Sequence, residues 1–175
     1  FGVALGTVLA KSDRIQFSTN HASEAQILDH LRACSKDYHP PLDQRVALLE
    51  YTRKLRQHAV TIEAWNQGEL VGLVAAYLPS NPPSAREPGS SAPGQAFISN
   101  VSVAKRSRNC GVARALMSRL HQHLLLNDVT EIHLRVSEEA VSARRLYERF
   151  GYGESGREQD EIRMCCHIQA EREKP

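Results

Sequence analysis

Apolar and polar positions along the chain alternate between a period near two and a period near 3.6, and the changes of period mark short strands and helices. Residues 14–18 alternate as a strand, and Thr19 and Asn20 supply capping oxygens ahead of a helix over 22–34. Pro40 and Pro41 interrupt the chain, after which Leu42, Val46, Leu49, Tyr51 and Leu55 recur at helical spacing and predict a second helix. Residues 59–65 are β-rich, 66–69 hold a Gly-containing turn and 70–78 form a near-continuous apolar run, which together predict a hairpin whose second strand is central. Residues 95–103 read as a further strand. Residues 111–126 read as a helix with Leu116, Leu120 and Leu124 on one stripe, 131–136 as a strand, 138–150 as a helix and 162–168 as a closing strand. The order β-α-α-β-β-β-α-β-α-β, without repeats, predicts a mixed sheet covered by helices, an α/β (α+β) fold in a single domain over 1–175. A chain of 175 residues has room for one sizeable core and no need of staples.

Between residues 79 and 94 lie five of the chain's eight prolines (Pro79, Pro82, Pro83, Pro88 and Pro93), so this stretch is a loop, either a solvated insertion or a wall over a pocket. Composition narrows the rest. With 41% hydrophobic and 24% charged residues and a mean hydropathy of −0.42, the chain is neither disordered nor a membrane protein. Residues 1–10 are apolar but far short of the roughly 20 that span a bilayer, and lack a basic leader; they are read as a terminal extension. Lys and Arg at 22 against Asp and Glu at 20 leave a net +2, so no global field favours nucleic acid, and any anion site must be local. Lys105, Arg106 and Arg108 form a basic cluster without interleaved aromatic residues, hence without a base-stacking platform. Cys34, Cys110, Cys165 and Cys166 are too few for a disulfide framework, which predicts reduced thiols and a cytoplasmic protein. His121 with His123, and Cys166 with His167, lack the partners of a structural zinc site in the sequence, so no metal is expected.

Candidate chemistry concentrates where the strand ending at Val103 meets the helix starting near Gly111. Gly111 permits a turn free of side-chain obstruction, and the helix start presents unpaired N–H groups and a positive dipole end, to which Lys105, Arg106 and Arg108 add charge; a pyrophosphate suits such a place. The run Arg108-Asn109-Cys110-Gly111-Val112-Ala113 resembles the Arg/Gln-x-x-Gly-x-Gly/Ala signature of the GNAT acetyltransferase superfamily. Downstream, Leu134-Arg135-Val136 followed by Ala143-Arg144-Arg145-Leu146-Tyr147, then Phe150-Gly151-Tyr152, resembles that family's strand and its Ala-x-x-Leu-Tyr-x-x-x-Gly-Phe helix, in the same order and spacing.

The resemblance implies that the fourth and fifth strands, 95–103 and 131–136, splay apart to admit the pantetheine arm of acetyl-CoA. It further implies that backbone groups at Val101, Ser102 and Val103 orient the thioester, and that Arg108, Asn109, Cys110, Gly111, Val112, Ala113 and Arg114 cradle the pyrophosphate. Transfer would be direct, with Tyr147 protonating the leaving thiolate, a role a phenol can fill, and Cys110 would not be a nucleophile. Two positions depart from the family pattern: Ala140 replaces a frequent Asn, and the strand 95–103 carries no acid to act as base. Glu63, Glu138 and Tyr77 are the remaining candidates for that task. The expected activity is acetyl-CoA-dependent N-acetylation of a primary amine of a small molecule such as an amino sugar, amino acid or polyamine. A peptide or protein amine stays open as acceptor, as does a homodimer, and the rival reading is an acyl-CoA-binding sensor or interaction module without turnover.

Overall fold

The computed structural model describes residues 15–81 and 92–169. The extension at 1–10, Arg14 of the first strand and most of the Pro-rich loop therefore lie outside the described residues. Seven strands form one sheet: β1 (Gln16–Thr19), β2 (Ala59–Asn66), β3 (Glu69–Tyr77), β4 (Gln95–Val103), β5 (Glu131–Ser137), β6 (Gly153–Glu158) and β7 (Glu161–His167). They stand in the order β1-β2-β3-β4-β5-β7-β6, antiparallel throughout except for the parallel pair β4/β5. Helices α1 (Glu24–Cys34), α2 (Leu42–Arg45), α3 (Leu48–His58), α4 (Val112–Leu126) and α5 (Val141–Arg149) accompany the sheet.

Alternation along the central strands feeds two cores, one on each face. Val74 and Ala76 of β3 with Ala96 and Ile98 of β4 pack under the α4 stripe Leu116, Met117, Leu120 and Leu124 and under Tyr147 of α5. Leu73, Ala75 and Tyr77 with Phe97 point the other way, onto Ile27 and Leu31 of α1 and Leu55 of α3. The four α4 side chains are completely buried and contribute about 2 kcal/mol each. Ser23, rather than the expected Thr19 or Asn20, caps α1 by accepting from the Gln26 amide while the Gln26 side chain accepts from the Ser23 amide, a reciprocal box that fixes where the helix begins. Thr19 belongs to β1, and Asn20 Oδ1 accepts from the Thr61 amide.

Two further expectations are corrected. The predicted second helix is two, because Val46 takes an extended conformation between α2 and α3. No Gly or Pro marks that break; it lets Leu42 and Leu55 enter the same core from helices of different direction. Strand β6 gave no sequence signal, since its residues are polar and mostly exposed. It is held by its ladder to β7 and by Arg157, which pairs with Glu154 and Glu138 at 2.6 Å each.

Candidate active site

Strands β4 and β5 pair only from Gln95 to Ile98 against Glu131 to Leu134. Beyond that point β4 carries an extra residue, Ser99, relative to β3, since Ala75 faces Asn100 and Ala76 faces Ile98. Such a bulge bends a strand and re-aims the residues beyond it, and the β4/β5 ladder stops there, leaving a gap between the second half of β4 and the end of β5. The splayed strands that the family resemblance implies are thus observed.

The edge that β4 presents to this gap is set by its register. The Ala104 amide donates to the Val71 carbonyl at 2.8 Å; by antiparallel alternation the backbone groups of Ser102 and Asn100 then face β3, while those of Val101 and Val103 face the gap. The carbonyls on that edge are engaged. Tyr51 donates its hydroxyl to the Ser99 carbonyl at 2.9 Å, Tyr38 to the Val101 carbonyl at 3.4 Å, and Arg108 Nε to the Val103 carbonyl at 3.1 Å. A short row of amide N–H groups remains directed into the gap.

Behind this edge runs a buried polar chain that sequence reasoning missed. His30 Nε2 lies 2.9 Å from Ser102 Oγ, Ser102 donates to Asn100 Oδ1 at 2.9 Å, and Asn100 Nδ2 donates to the Tyr38 hydroxyl at 2.8 Å. His30 Nδ1 also lies 3.3 Å from the Leu70 carbonyl, so the neutral ring, with a single N–H, donates either to Leu70 or to Ser102, and the far end of the chain is anchored by Tyr38 on the Val101 carbonyl. Burial holds the His30 pKa below its ordinary value, against smaller opposite pulls from the Leu70 and Ser102 hydrogen bonds, which keeps the ring neutral. The chain is a brace, not a proton wire: passing a proton through the Asn100 amide would require its unfavourable imidic acid form. His30 and Ser102 are 72 residues apart in sequence, and no motif links them.

At the far end of β4, a 3-10 turn (Lys105–Ser107) leads through Asn109 at φ 59° and Gly111 at φ 77°, ψ 8° into α4. Two left-handed residues so close together turn the chain sharply, and Gly111 takes that conformation without Cβ strain. The first α4 bond is the Ala115 amide to the Gly111 carbonyl at 3.0 Å. Val112, Ala113 and Arg114 therefore begin the helix with no intrahelical acceptor, no side-chain cap and no acid in the first turn. A Cβ built on Gly111 meets nothing within 4 Å, so the approach is open. The exposed Arg114 forms no ion pair among the described residues. The Arg108 guanidinium, in contrast, is engaged by the Asp37 carboxylate at 2.6 Å as well as by Val103, and offers the loop its backbone only. Lys105 also leans on Asp37, at 3.9 Å, and Arg106 pairs with Glu69. Exposed Cys110 donates to the Arg108 carbonyl at 3.3 Å.

Tyr147, the buried residue of α5, enters from beyond β5. Its ring lies 5.9 Å from that of Tyr152. Burial raises the phenol well above the tyrosine range, so it is protonated at neutral pH and is a donor. Ala140 stands at the N-cap of α5 and supplies no side-chain cap.

The three candidates for the base are otherwise occupied. Glu63 is completely buried and accepts from Ser18 Oγ at 2.5 Å, Thr61 Oγ1 at 2.6 Å and the His21 and Ala22 amides at 3.0 and 3.2 Å. Glu138 is held by Arg157, and Tyr77 is a core residue 1% exposed. A separate cavity of about 230 Å³, between β1 and the C-terminal half of α4, is lined by Phe17, Ile62, Arg119 and His123 and lacks any of the gap's features.

Comparison with known proteins agrees with this geometry. By fold, the chain is similar to the ribosomal-protein-S18-alanine N-acetyltransferase of Escherichia coli, with a TM-score of 0.66 at 16% identity, covering 93% of this chain and 99% of that one. It is also similar to the PaiA N-acetyltransferase of Thermoplasma acidophilum in complex with coenzyme A, with a TM-score of 0.64 at 9% identity, covering 87% and 99%. A GNAT-family acetyltransferase of Staphylococcus aureus Mu50 gives 0.68 at 14% identity, covering 89% and 100%. No curated protein matches the chain by sequence. Among the described residues no helix is long and apolar enough to cross a membrane. The sequence profile of the acetyltransferase (GNAT) family matches residues 25–152, from the first turn of α1 through the Tyr147 helix and so across the whole gap, and the chain belongs to that family.

Proposed function

We propose that the protein is an acetyl-CoA-dependent N-acetyltransferase acting by direct attack of a primary amine, with a small molecule as acceptor. The observation that carries this reading is the gap between β4 and β5 together with its unpaired strand amides and the uncapped start of α4; the buried, protonated Tyr147 of α5 is the acid that this reading assigns. Acetyl-CoA supplies the activated thioester. The residues fit such a molecule at both ends. Amides of Val112, Ala113 and Arg114, the turn Asn109-Cys110-Gly111 and the Arg114 side chain are suited to the pyrophosphate, because orphan N–H groups at the positive end of a helix bind anions without a basic surface. Amides of Val101 and Val103 face the place where the carbonyl oxygen gathers charge, and preorganised donors there stabilise the oxyanion. Ser102, expected to offer its backbone to the thioester, instead turns its backbone groups toward β3 and contributes as a link in the brace from His30, which fixes the edge of β4.

As the amine nitrogen bonds to the carbonyl carbon and the carbon–sulfur bond breaks, Tyr147 donates its hydroxyl proton to the departing sulfur and is reprotonated from solvent. With Glu63 and Glu138 occupied, the amine enters as its free base and releases its second proton to water, so the rate follows the free-amine fraction as pH rises. A peptide amine is the second reading, favoured by the fold shared with the E. coli ribosomal-protein-alanine enzyme.

Calorimetric titration with acetyl-CoA, followed by parallel panels of small amines and of N-terminal peptides, tests the proposal. One-site binding with turnover on small amines supports it, while turnover on peptides alone selects the second reading. Saturable binding with no acceptor in either panel selects the sensor. In Tyr147→Phe the expected result is a fall in kcat of about 10²-fold with acetyl-CoA affinity within about twofold; an unchanged kcat removes the acid role.

A further inference from the structure

We propose that Glu131, His133 and Cys165, completed by His167, form a site for one zinc-class divalent cation on the face of β5 and β7 away from the α4 core. The inference does not depend on the acetyltransfer reading. Antiparallel register sets Glu131 opposite His167 and His133 opposite Cys165. Residues two apart on a strand share a face, so the four side chains form a square block on two adjacent strands. Which face they share is fixed by their neighbours: Ile132, Leu134, Met164 and Cys166 are buried in the core on the other side. Cys166 accordingly turns inward and donates to the Phe150 carbonyl at 3.3 Å, and Cys165 is the thiol that meets the histidines.

The donor atoms already converge. One ligand atom each from Glu131, His133 and Cys165 lie within 4.8 Å of one another. His133 Nε2 is 2.5 Å from Glu131 Oε1, and His167 Nδ1 is 3.8 Å from Glu131 Oε2. Ligands at about 2.0–2.3 Å from a tetrahedral zinc ion stand roughly 3.3–3.8 Å apart, so small side-chain rotations bring Glu131, His133 and Cys165 to ligating geometry, and the exposed His167 supplies the fourth ligand by a larger swing. Buried His133 Nε2 makes no hydrogen bond of acceptable geometry, despite its contact with the carboxylate. Such a nitrogen is costly unless something coordinates it. Glu131 is in turn oriented by Gln95 Nε2 at 3.2 Å, from the neighbouring strand, the kind of outer support that ligating carboxylates have. One thiolate, one carboxylate and two imidazoles balance a dication and suit zinc rather than magnesium or calcium, which prefer oxygen. The site lies where β4, β5 and β7 are fully paired, below the gap. The ion would clip β5 to β7 and take no part in acyl transfer.

The full chain, stripped with chelator and titrated with zinc alone against a chromophoric competitor, should bind one ion per chain. Cobalt substituted for zinc should show thiolate charge-transfer absorption. His133→Ala and Cys165→Ser should weaken zinc at least about 100-fold, and Cys165→Ser should abolish the charge-transfer band; His39→Ala, at an exposed histidine elsewhere, should bind as wild type. His167 is largely exposed, so His167→Ala folds whatever its role and should weaken zinc about tenfold. Failure of the stripped wild-type chain to bind micromolar zinc overturns the proposal. So does equal binding by His133→Ala, Cys165→Ser and His167→Ala, which would mark adventitious association.

Discussion

Replacing Glu63 separates a structural carboxylate from a catalytic one. In Glu63→Leu a side chain of similar volume fills the site, but the four donors that converge on the carboxylate lose their acceptor. The two hydroxyls can rotate, Thr61 toward Asn20 Oδ1 at 3.4 Å, whereas the His21 and Ala22 amides are fixed in the turn between β1 and α1. Each orphaned amide costs about 1–3 kcal/mol, giving a loss of roughly 2–6 kcal/mol. For a domain of this size, about 4 kcal/mol lowers Tm by roughly 8–16 °C. Glu63→Gln keeps one acceptor oxygen and should fall between Leu and wild type. Urea unfolding and calorimetry give the stability. Steady-state kinetics at least about 15 °C below each variant's Tm give the activity, expected within about threefold of wild type because no donor set at Glu63 faces the gap. A general base would cost about 10²–10⁴-fold. Variants as stable as wild type but impaired by that factor would refute the structural assignment.

Three further outcomes test the site and its supports. Gly111→Asp keeps the fold, since its Cβ enters open space and Asp tolerates positive φ better than most residues; a carboxylate against the α4 amides should weaken acetyl-CoA about 100-fold by calorimetry, and an unchanged Kd would mean that the pyrophosphate lies elsewhere. In Gly72→Val the new Cβ meets Leu116 Cδ1 at 2.9 Å, Val112 Cγ1 at 3.0 Å and Ala64 Cβ at 3.2 Å. Overpacking should cost about 1–3 kcal/mol and, by displacing the first turn of α4, weaken acetyl-CoA several-fold; unfolding curves and affinities equal to wild type would contradict the close strand–helix contact. Burial lowers the pKa of His121, hydrogen-bonded to Tyr152 at 2.8 Å, to about 4 from 6.5. The unfolded chain then binds more protons between these values, so stability is fully present above about pH 6.5 and declines as pH falls toward 4. His30 acts with the same sign. The His121 contribution is about 1–2 kcal/mol after allowance for partial exposure; His121→Gln should flatten the slope between pH 6.5 and 4, and an unaltered slope would assign it to other groups.

Periodicity alone located β2 to β5, β7, α1 and α4, because each buries a stripe or an alternating face and so carries its pattern in the residues themselves. Gly111 and the helix after it were legible for the same local reason, a turn that needs positive φ and a helix start without a cap. Strand β6 was invisible, since a polar edge strand is specified by a ladder to its neighbour rather than by burial. The break at Val46 was set by where two helices must enter one core. The gap, too, is a matter of long-range register: the β4/β5 ladder ends at Ile98, beside the extra residue Ser99 opposite β3, and the register beyond it turns the Val101 and Val103 amides outward. Sequence reading offered Glu63 for catalysis, and tertiary structure gave it to four donors. It likewise saw His167 beside Cys166, whereas strand register faces it toward Glu131 and sets His133 opposite Cys165. Residue types and short spacings determine which chemistry a chain can carry; pairing between segments far apart in sequence decides which groups meet, because backbone ladders fix that partnership and leave no local trace of it.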